Sequence, residues 1–124
     1  MTEQEFKDYT KQITLRVVTL IEQLPNSQKA KIISDQLLES AASIGANYQA
    51  ACRGTSAAHL IKYLAKVESD ADRALYWLDI LVEAKVVDKA KLIALTGELN
   101  QIVKMTASSI SSLQPREEGK ILEF

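Results

Sequence analysis

Residues 60–81 read LIKYLAKVESDADRALYWLDIL, and this stretch decides the fold. Leu60, Leu64, Val67, Ala71, Ala74, Leu78 and Leu81 recur at alternating spacings of four and three. That is the step of an α-helix with one apolar stripe. A half-buried strand needs alternation every second residue, and no useful run of it occurs anywhere in the chain. Ile61, Leu75 and Val82 widen the stripe on one side; Tyr63, Trp77 and Ala84 widen it on the other. A stripe that wide touches more than one neighbour. The spacing predicts a helix over about 57–85, packed between others.

Working outward, Gly54-Thr55-Ser56 is a joint: Gly54 suits the position just past a helix end and Ser56 suits an N-cap. Before it, Ile33, Leu37, Ala41, Ile44, Tyr48 and Ala51 predict a helix over about 28–53. Gly45 inside it costs about 1 kcal/mol relative to Ala, or serves a close helix approach. Pro25-Asn26-Ser27 separates this helix from one over about 3–24. That first helix opens with Thr2 and Glu5 in capping-box spacing and carries Phe6, Tyr9, Ile13, Val17, Leu20 and Leu24 on one face. Asp88 is placed to cap a fourth helix over about 89–113, with Leu92, Leu95, Leu99, Ile102, Thr106, Ile110 and Leu113 as its stripe.

Short joints force neighbouring helices to run antiparallel. The expectation is an all-α, antiparallel up-down-up-down four-helix bundle over 1–115. Residues 116–124, with Gly119 and mixed charge, read as a mobile C-terminal tail. Its end, Ile121-Leu122-Glu123-Phe124, is also apolar enough to dock on something.

Composition narrows the function classes. The chain has 124 residues, 47% hydrophobic and 25% charged, with 4 Gly and 2 Pro, which suits one domain with its own core and disfavours a turn-rich β-sandwich. Fifteen Lys and Arg against sixteen Asp and Glu give a net charge of -1, which argues against nucleic-acid binding through bulk charge. The polar start, Met1 to Lys11, lacks a signal-type apolar core, and no apolar run approaches a bilayer span. The lone Cys52 suits a reducing interior, so the expected location is cytoplasmic.

Chemistry-bearing patterns are sparse. A bundle di-metal site needs Glu-x-x-His on two helices, but the single histidine, His59, has Ser56 three residues before it. His59 therefore reads as solvent-facing or as a cap near a helix start. Cys52, beside Arg53 at a helix C-terminus, sits at the wrong end of the dipole for a thiolate. No phosphate-binding Gly-x-x-x-x-Gly-Lys motif or Gly-x-Ser-x-Gly elbow is present. The reading has no catalytic residue, no metal ligand and no cofactor.

The polar residues nearest the stripes are more informative. Asn47 flanks the second stripe. Glu68 shares a column with Ile61, Leu75 and Val82, and Asp72 lies one turn beyond. A carboxylate there is costly to bury unless paired, and Arg16, Arg53, Arg73 and Lys62 are available partners. Glu68, Asp72 and Trp77 are thus candidates for a polar network or for a boundary facing solvent or a subunit interface. Trp77 suits either core filling or an interface anchor. Basic residues scatter: Lys7 and Lys11 on helix one, Lys29 and Lys31 opening helix two, Lys85, Lys89 and Lys91 around the third joint. Counted along the chain, Pro25 and Lys85 are expected at opposite ends of the bundle, so these cations form no single stripe unless a ring of copies concentrates them.

The run Ser43-Ile44-Gly45-Ala46-Asn47-Tyr48-Gln49-Ala50-Ala51-Cys52-Arg53, followed by Ser56 and by Tyr76-Trp77-Leu78 with Glu83-Ala84, resembles the 23S rRNA-intervening-sequence protein family of bacterial four-helix bundles. The resemblance spans roughly residues 5–113. It implies an antiparallel bundle assembled into a homopentameric ring, with no established enzymatic activity, and Ser43, Asn47, Arg53 and Ser56 as architectural motif residues. A related branch, the accessory variability determinants, binds nucleic acid and a reverse transcriptase. Relatives often have an acidic residue where this chain has Ala50, so a polar network using that carboxylate is broken or rewired here. The near-neutral charge also separates this chain from the basic, nucleic-acid-binding branch.

Together these readings describe a non-enzymatic homo-oligomer acting through contact with another macromolecule, not through a membrane. The alternative is an RNA- or DNA-binding accessory module whose Lys and Arg are concentrated by ring assembly. The sequence names no protein partner.

Overall fold

The computed structural model describes residues 1–114. The tail expected over 116–124 lies outside them. The described residues form four α-helices and no strand: α1 (Glu3–Glu22), α2 (Gln28–Arg53), α3 (Ala57–Glu83) and α4 (Ile93–Leu113), with a 3-10 turn at Lys89–Leu92 leading into α4. Consecutive helices pack against one another as a bundle. α1 closes on α4 through side chains: Arg16 pairs with Glu98, and Tyr9 Oη lies 3.5 Å from the Glu98 carbonyl.

Local signals explain the helix starts. Thr2 and Glu5 complete the capping box, with Glu5 N–H donating to Thr2 Oγ1 at 3.1 Å and Thr2 N–H to Glu5 Oε1 at 2.8 Å. Ser27 accepts from Ala30 N–H, and Ser56 from His59 N–H, each at 3.1 Å. Each cap satisfies a backbone donor that the helix leaves unpaired.

The helix ends depart from expectation in instructive ways. α1 stops at Glu22 because Pro25 disfavours helical backbone at Leu24, and the chain tightens through Leu24 N–H to Ile21 O at 3.1 Å. α3 stops at Glu83 in a Schellman turn, where Lys85 N–H bonds Val82 O and Val86 N–H bonds Leu81 O, each at 2.9 Å. Lys85 carries the left-handed backbone of that turn, φ 60°, a place glycine normally takes. Asp88 holds the N-cap position of the 3-10 turn, but its side chain makes no capping bond. The capping role expected of it is therefore not realised.

The core is the set of stripes read from the sequence. Ile13, Val17, Leu37, Ile44, Val67, Leu78, Leu81, Leu99 and Ile102 are fully buried and belong to one cluster. Each large aliphatic group buried this way contributes about 1.5–3 kcal/mol before the entropy of ordering is counted. Gly45 packs against Thr10 of α1, and a Cβ there would stand 3.4 Å from Thr10 Oγ1. Thr14 Oγ1 lies 3.3 Å from the Ala41 carbonyl beside that contact. The glycine thus serves close approach of α1 to α2.

One positional expectation is wrong. Pro25 and Lys85 lie at the same end of the bundle, bordering one cavity, and Lys29 Nζ donates to the Ala84 carbonyl at 2.7 Å across the two joints. The chain reverses at 25, at 54 and at 85. Two helices, α2 and α3, separate Pro25 from Lys85 with one reversal between them, so the chain runs to the far end and returns to the end it left.

Candidate functional site

The polar chemistry of the bundle gathers on the seam between α2 and α3. Successive helical residues step by about 100°, so Lys29, Gln36, Ser40, Ser43 and Asn47 border the α3-facing edge of α2. His59, Tyr63, Asp70, Trp77 and Ala84 share the α2-facing edge of α3. At mid-seam Asn47 Nδ2 donates to Asp70 Oδ2 at 2.7 Å. Asp70 is only 7% exposed, and Arg73 Nη1 stands 4.0 Å from its other oxygen. Burial pushes the Asp70 carboxyl above its ordinary value, while Asn47, Arg73 and Lys66 pull it back down.

At the lower end of the seam, His59 Nε2 lies 2.8 Å from the Ala50 carbonyl in the last turn of α2. The imidazole thereby engages a carbonyl that the end of α2 leaves without a helical partner. It packs at 4.7 Å from the Tyr63 ring, over which Lys66 Nζ sits at 4.6 Å. Gly54 is extended, φ −87°, so it was not chosen for a left-handed turn. It is required for room: a Cβ at Gly54 would overlap the His59 ring.

The residues singled out from the sequence fall in different places. Asn47 joins the buried pair. Ser43 lies half-buried on the same edge of α2, Arg53 is the exposed last residue of that helix, and Ser56 caps α3. Glu68 is half-buried on the opposite, α4-facing edge of α3, and Asp72 is exposed. Neither meets Asn47. The buried carboxylate is Asp70, which the sequence reading passed over, although it shares a column with Tyr63 and Trp77. Of the cations considered as partners, Arg73 is the one near Asp70, while Arg16 is engaged by Glu98.

Trp77 is half-buried and edge-on to the exposed ring of Tyr76, centroids 5.1 Å apart. Tyr76 and Ile32 are each 57% exposed, and Ile80 is half-buried one turn from Tyr76. These residues place an aromatic and aliphatic strip on the outer side of the α2–α3 pair.

The arrangement offers little for bond-making. Burial pushes the Cys52 thiol up, away from the thiolate, and Tyr48 is shifted upward by burial and by its contact with Cys52. The only imidazole is occupied by a backbone carbonyl. Among the described residues, no group of three or more His, Cys, Asp and Glu side chains is placed to hold a metal ion. None of their helices is long and apolar enough to cross a membrane.

Two of the surface cavities lie at opposite ends of the bundle. The upper, about 770 Å³, is lined by Leu24, Val82 and Val86 with Lys85, Lys89 and Lys91 at its edge. The lower, about 680 Å³, lies where α2 and α4 end, with Tyr48, Cys52, Leu60, Leu64 and Leu113 in its wall.

A family model described as 23S rRNA-intervening sequence protein matches residues 3–108. The chain is also similar to a solved structure from Bacteroides thetaiotaomicron, a protein of unknown function from the S23 ribosomal protein family. The two share 30% sequence identity and a TM-score of 0.81, and the match covers 90% of this chain and 99% of that one. No curated protein matches the chain.

Proposed function

This chain belongs to the 23S rRNA-intervening sequence protein family, and from that premise we propose that it is a non-enzymatic bundle protein that works as a homo-oligomer through contact with other macromolecules. The observation that carries this reading is the strip formed by Ile32, Tyr76, Trp77 and Ile80. Two of its members are 57% exposed although the core beneath is complete. Tyr and Trp are enriched where protein surfaces meet, and an isologous or ring interface needs such a patch on every copy. The ring of five implied by the family resemblance is the assembly proposed.

The test is the molar mass in solution by light scattering, with Tyr76→Glu and Trp77→Ala as variants. The wild type runs as an oligomer at micromolar concentration. The double variant runs as a monomer with its helical circular dichroism intact. A wild-type monomer at that concentration ends the reading.

A second reading is favoured by the meeting of Lys29, Lys85, Lys89 and Lys91 at one end of the bundle. Ring assembly would repeat this cluster around an axis and raise the local potential despite a net charge of -1. On this reading the protein binds RNA or DNA through phosphates, and binding weakens steeply with added salt. Loss of a retarded band on Lys89→Glu and Lys91→Glu substitution supports it. No retarded band at low salt removes it.

A further inference from the structure

We infer that the outer ridge of α3 in one copy of this chain docks in the upper cavity of the next copy, so that each copy offers two different surfaces. The inference rests on the homo-oligomer proposed above and names the surface that covers its aromatic strip.

The two surfaces match in chemistry. The ridge presents Tyr76, 57% exposed, with Ile80 half-buried one turn on. Asp72 stands four residues before Tyr76, Asp79 three after and Glu83 seven after, spacings that set them on its side of the helix, and all three acids are exposed. The cavity reverses the sign. Leu20, Leu24, Val82, Val86 and Val87 make its floor, each half-buried against the core. Lys85, Lys89 and Lys91 ring that floor, and Asp88 is the one carboxylate in the wall. Among the described residues, none of the three ridge acids and none of the three lysines forms an ion pair within its own chain. The volume of about 770 Å³ leaves room for the Tyr76 ring and Ile80 together.

The backbone points the same way. Lys85 holds a left-handed position, φ 60°, that glycine fills more easily. The strained residue sets an ammonium group on the rim, and local strain of this kind marks surfaces with a use.

Placement suits a ring. The ridge residues 76–83 form the last turns of α3, and the cavity lies at that same end. The cavity continues onto the α1–α4 side, because Leu20, Gln23 and Lys91 also wall a smaller depression of about 230 Å³ with Arg16 and Leu95. In a bundle of four, that side faces away from the α2–α3 strip. A ridge on one side and a groove on the other make a head-to-tail contact, the kind that closes rings. A nucleic acid would use only part of the groove. Its wall has no aromatic side chain on which a base could stack, and phosphates would leave five aliphatic side chains in water.

Charge exchange tests the match. Lys89→Glu with Lys91→Glu reverses the groove, and Asp79→Lys with Glu83→Lys reverses the ridge. By light scattering, each pair raises the concentration of half-assembly about a hundredfold, as like charges now meet across the contact. The chain with all four substitutions assembles again as the wild type does, and circular dichroism is unchanged throughout. A groove variant that assembles like the wild type overturns the inference. If that assembled variant also loses a retarded nucleic-acid band, the lysines serve phosphates instead. A folded quadruple variant that stays monomeric overturns the inference too. A wild-type monomer is a different result and ends the homo-oligomer reading itself.

A crosslink guards against variants that misfold. In a Cys52→Ser background, chains carrying Tyr76→Cys and chains carrying Val87→Cys are mixed and oxidised with diamide. A disulfide joins one kind to the other, since the bond needs Cα atoms within about 7 Å, and neither kind crosslinks to itself. Absence of the mixed disulfide, or Tyr76→Cys homodimers in its place, overturns the inference.

Discussion

Asn47 and Asp70 hold each other across the α2–α3 seam, the amide donating to a carboxylate that is 7% exposed, at 2.7 Å. A buried carboxylate is tolerated only when its lone pairs are satisfied. The pair also fixes how far α2 can slide along α3, because the bond is lost if either helix shifts by a turn.

Removing the donor alone strands the acid. Asn47→Ala is expected to destabilise the fold by about 1.5–3 kcal/mol, the range for a hydrogen bond to a charged group. Asn47→Ala combined with Asp70→Ala should cost less than the sum of the single changes, since neither polar group is then left unpaired. Urea denaturation of the four proteins measures this directly.

The pH dependence has a definite sign. Asp70 is raised in the fold, chiefly by burial, so the folded state binds its proton more readily than the unfolded chain. The favourable contribution is complete below the ordinary carboxylate pKa and is lost as pH rises through the raised value. Asp70→Asn removes that component. Its urea midpoint should fall less than the wild type's between pH 4 and pH 7, and a steeper fall in the variant would contradict the assignment.

Gly54 and His59 form a steric pair. Gly54→Ala drives a methyl into the imidazole and should cost about 1–3 kcal/mol. His59→Ala removes the obstacle but also the ring's bond to the Ala50 carbonyl. The double variant Gly54→Ala with His59→Ala should therefore be no less stable than His59→Ala alone. Thermal unfolding of the three variants separates this steric account from a simple loss of glycine flexibility.

Lys85 occupies left-handed backbone with a side chain that disfavours it. Lys85→Gly should stabilise the protein by about 0.5–1 kcal/mol, the relief of the Cβ exceeding the added freedom of the unfolded chain. A lower melting temperature for the glycine variant would show that Lys85 makes a compensating contact.

The helices themselves were legible. The stripes through Ile13 and Val17, Leu37 and Ile44, Leu64 and Leu78, Leu99 and Ile102 obey a period that follows from helix geometry alone, and Thr2, Ser27 and Ser56 mark starts by chemistry that acts within three residues. The candidate site was less legible. In Glu68-Ser69-Asp70-Ala71-Asp72, three acids lie within five residues, but Glu68 and Asp72 stand one turn apart on one flank of α3 while Asp70 lies on the other. Glu68 was favoured for its apolar column, yet that column faces α4. Asp70 sits between Tyr63 and Trp77 at intervals of seven, and that interval was the available signal.

What the linear order settles is whatever depends on near neighbours along the chain: helix, cap, stripe and the antiparallel reversals that short joints compel. What it leaves open is which flank of a stripe meets which neighbour. Only the packed bundle turns Asp70 toward Asn47, seats His59 against the end of α2 and brings Lys29 to the joint of Lys85. These contacts join residues tens of positions apart, and their partners are selected by the mutual rotation of helices, a quantity that no local spacing records.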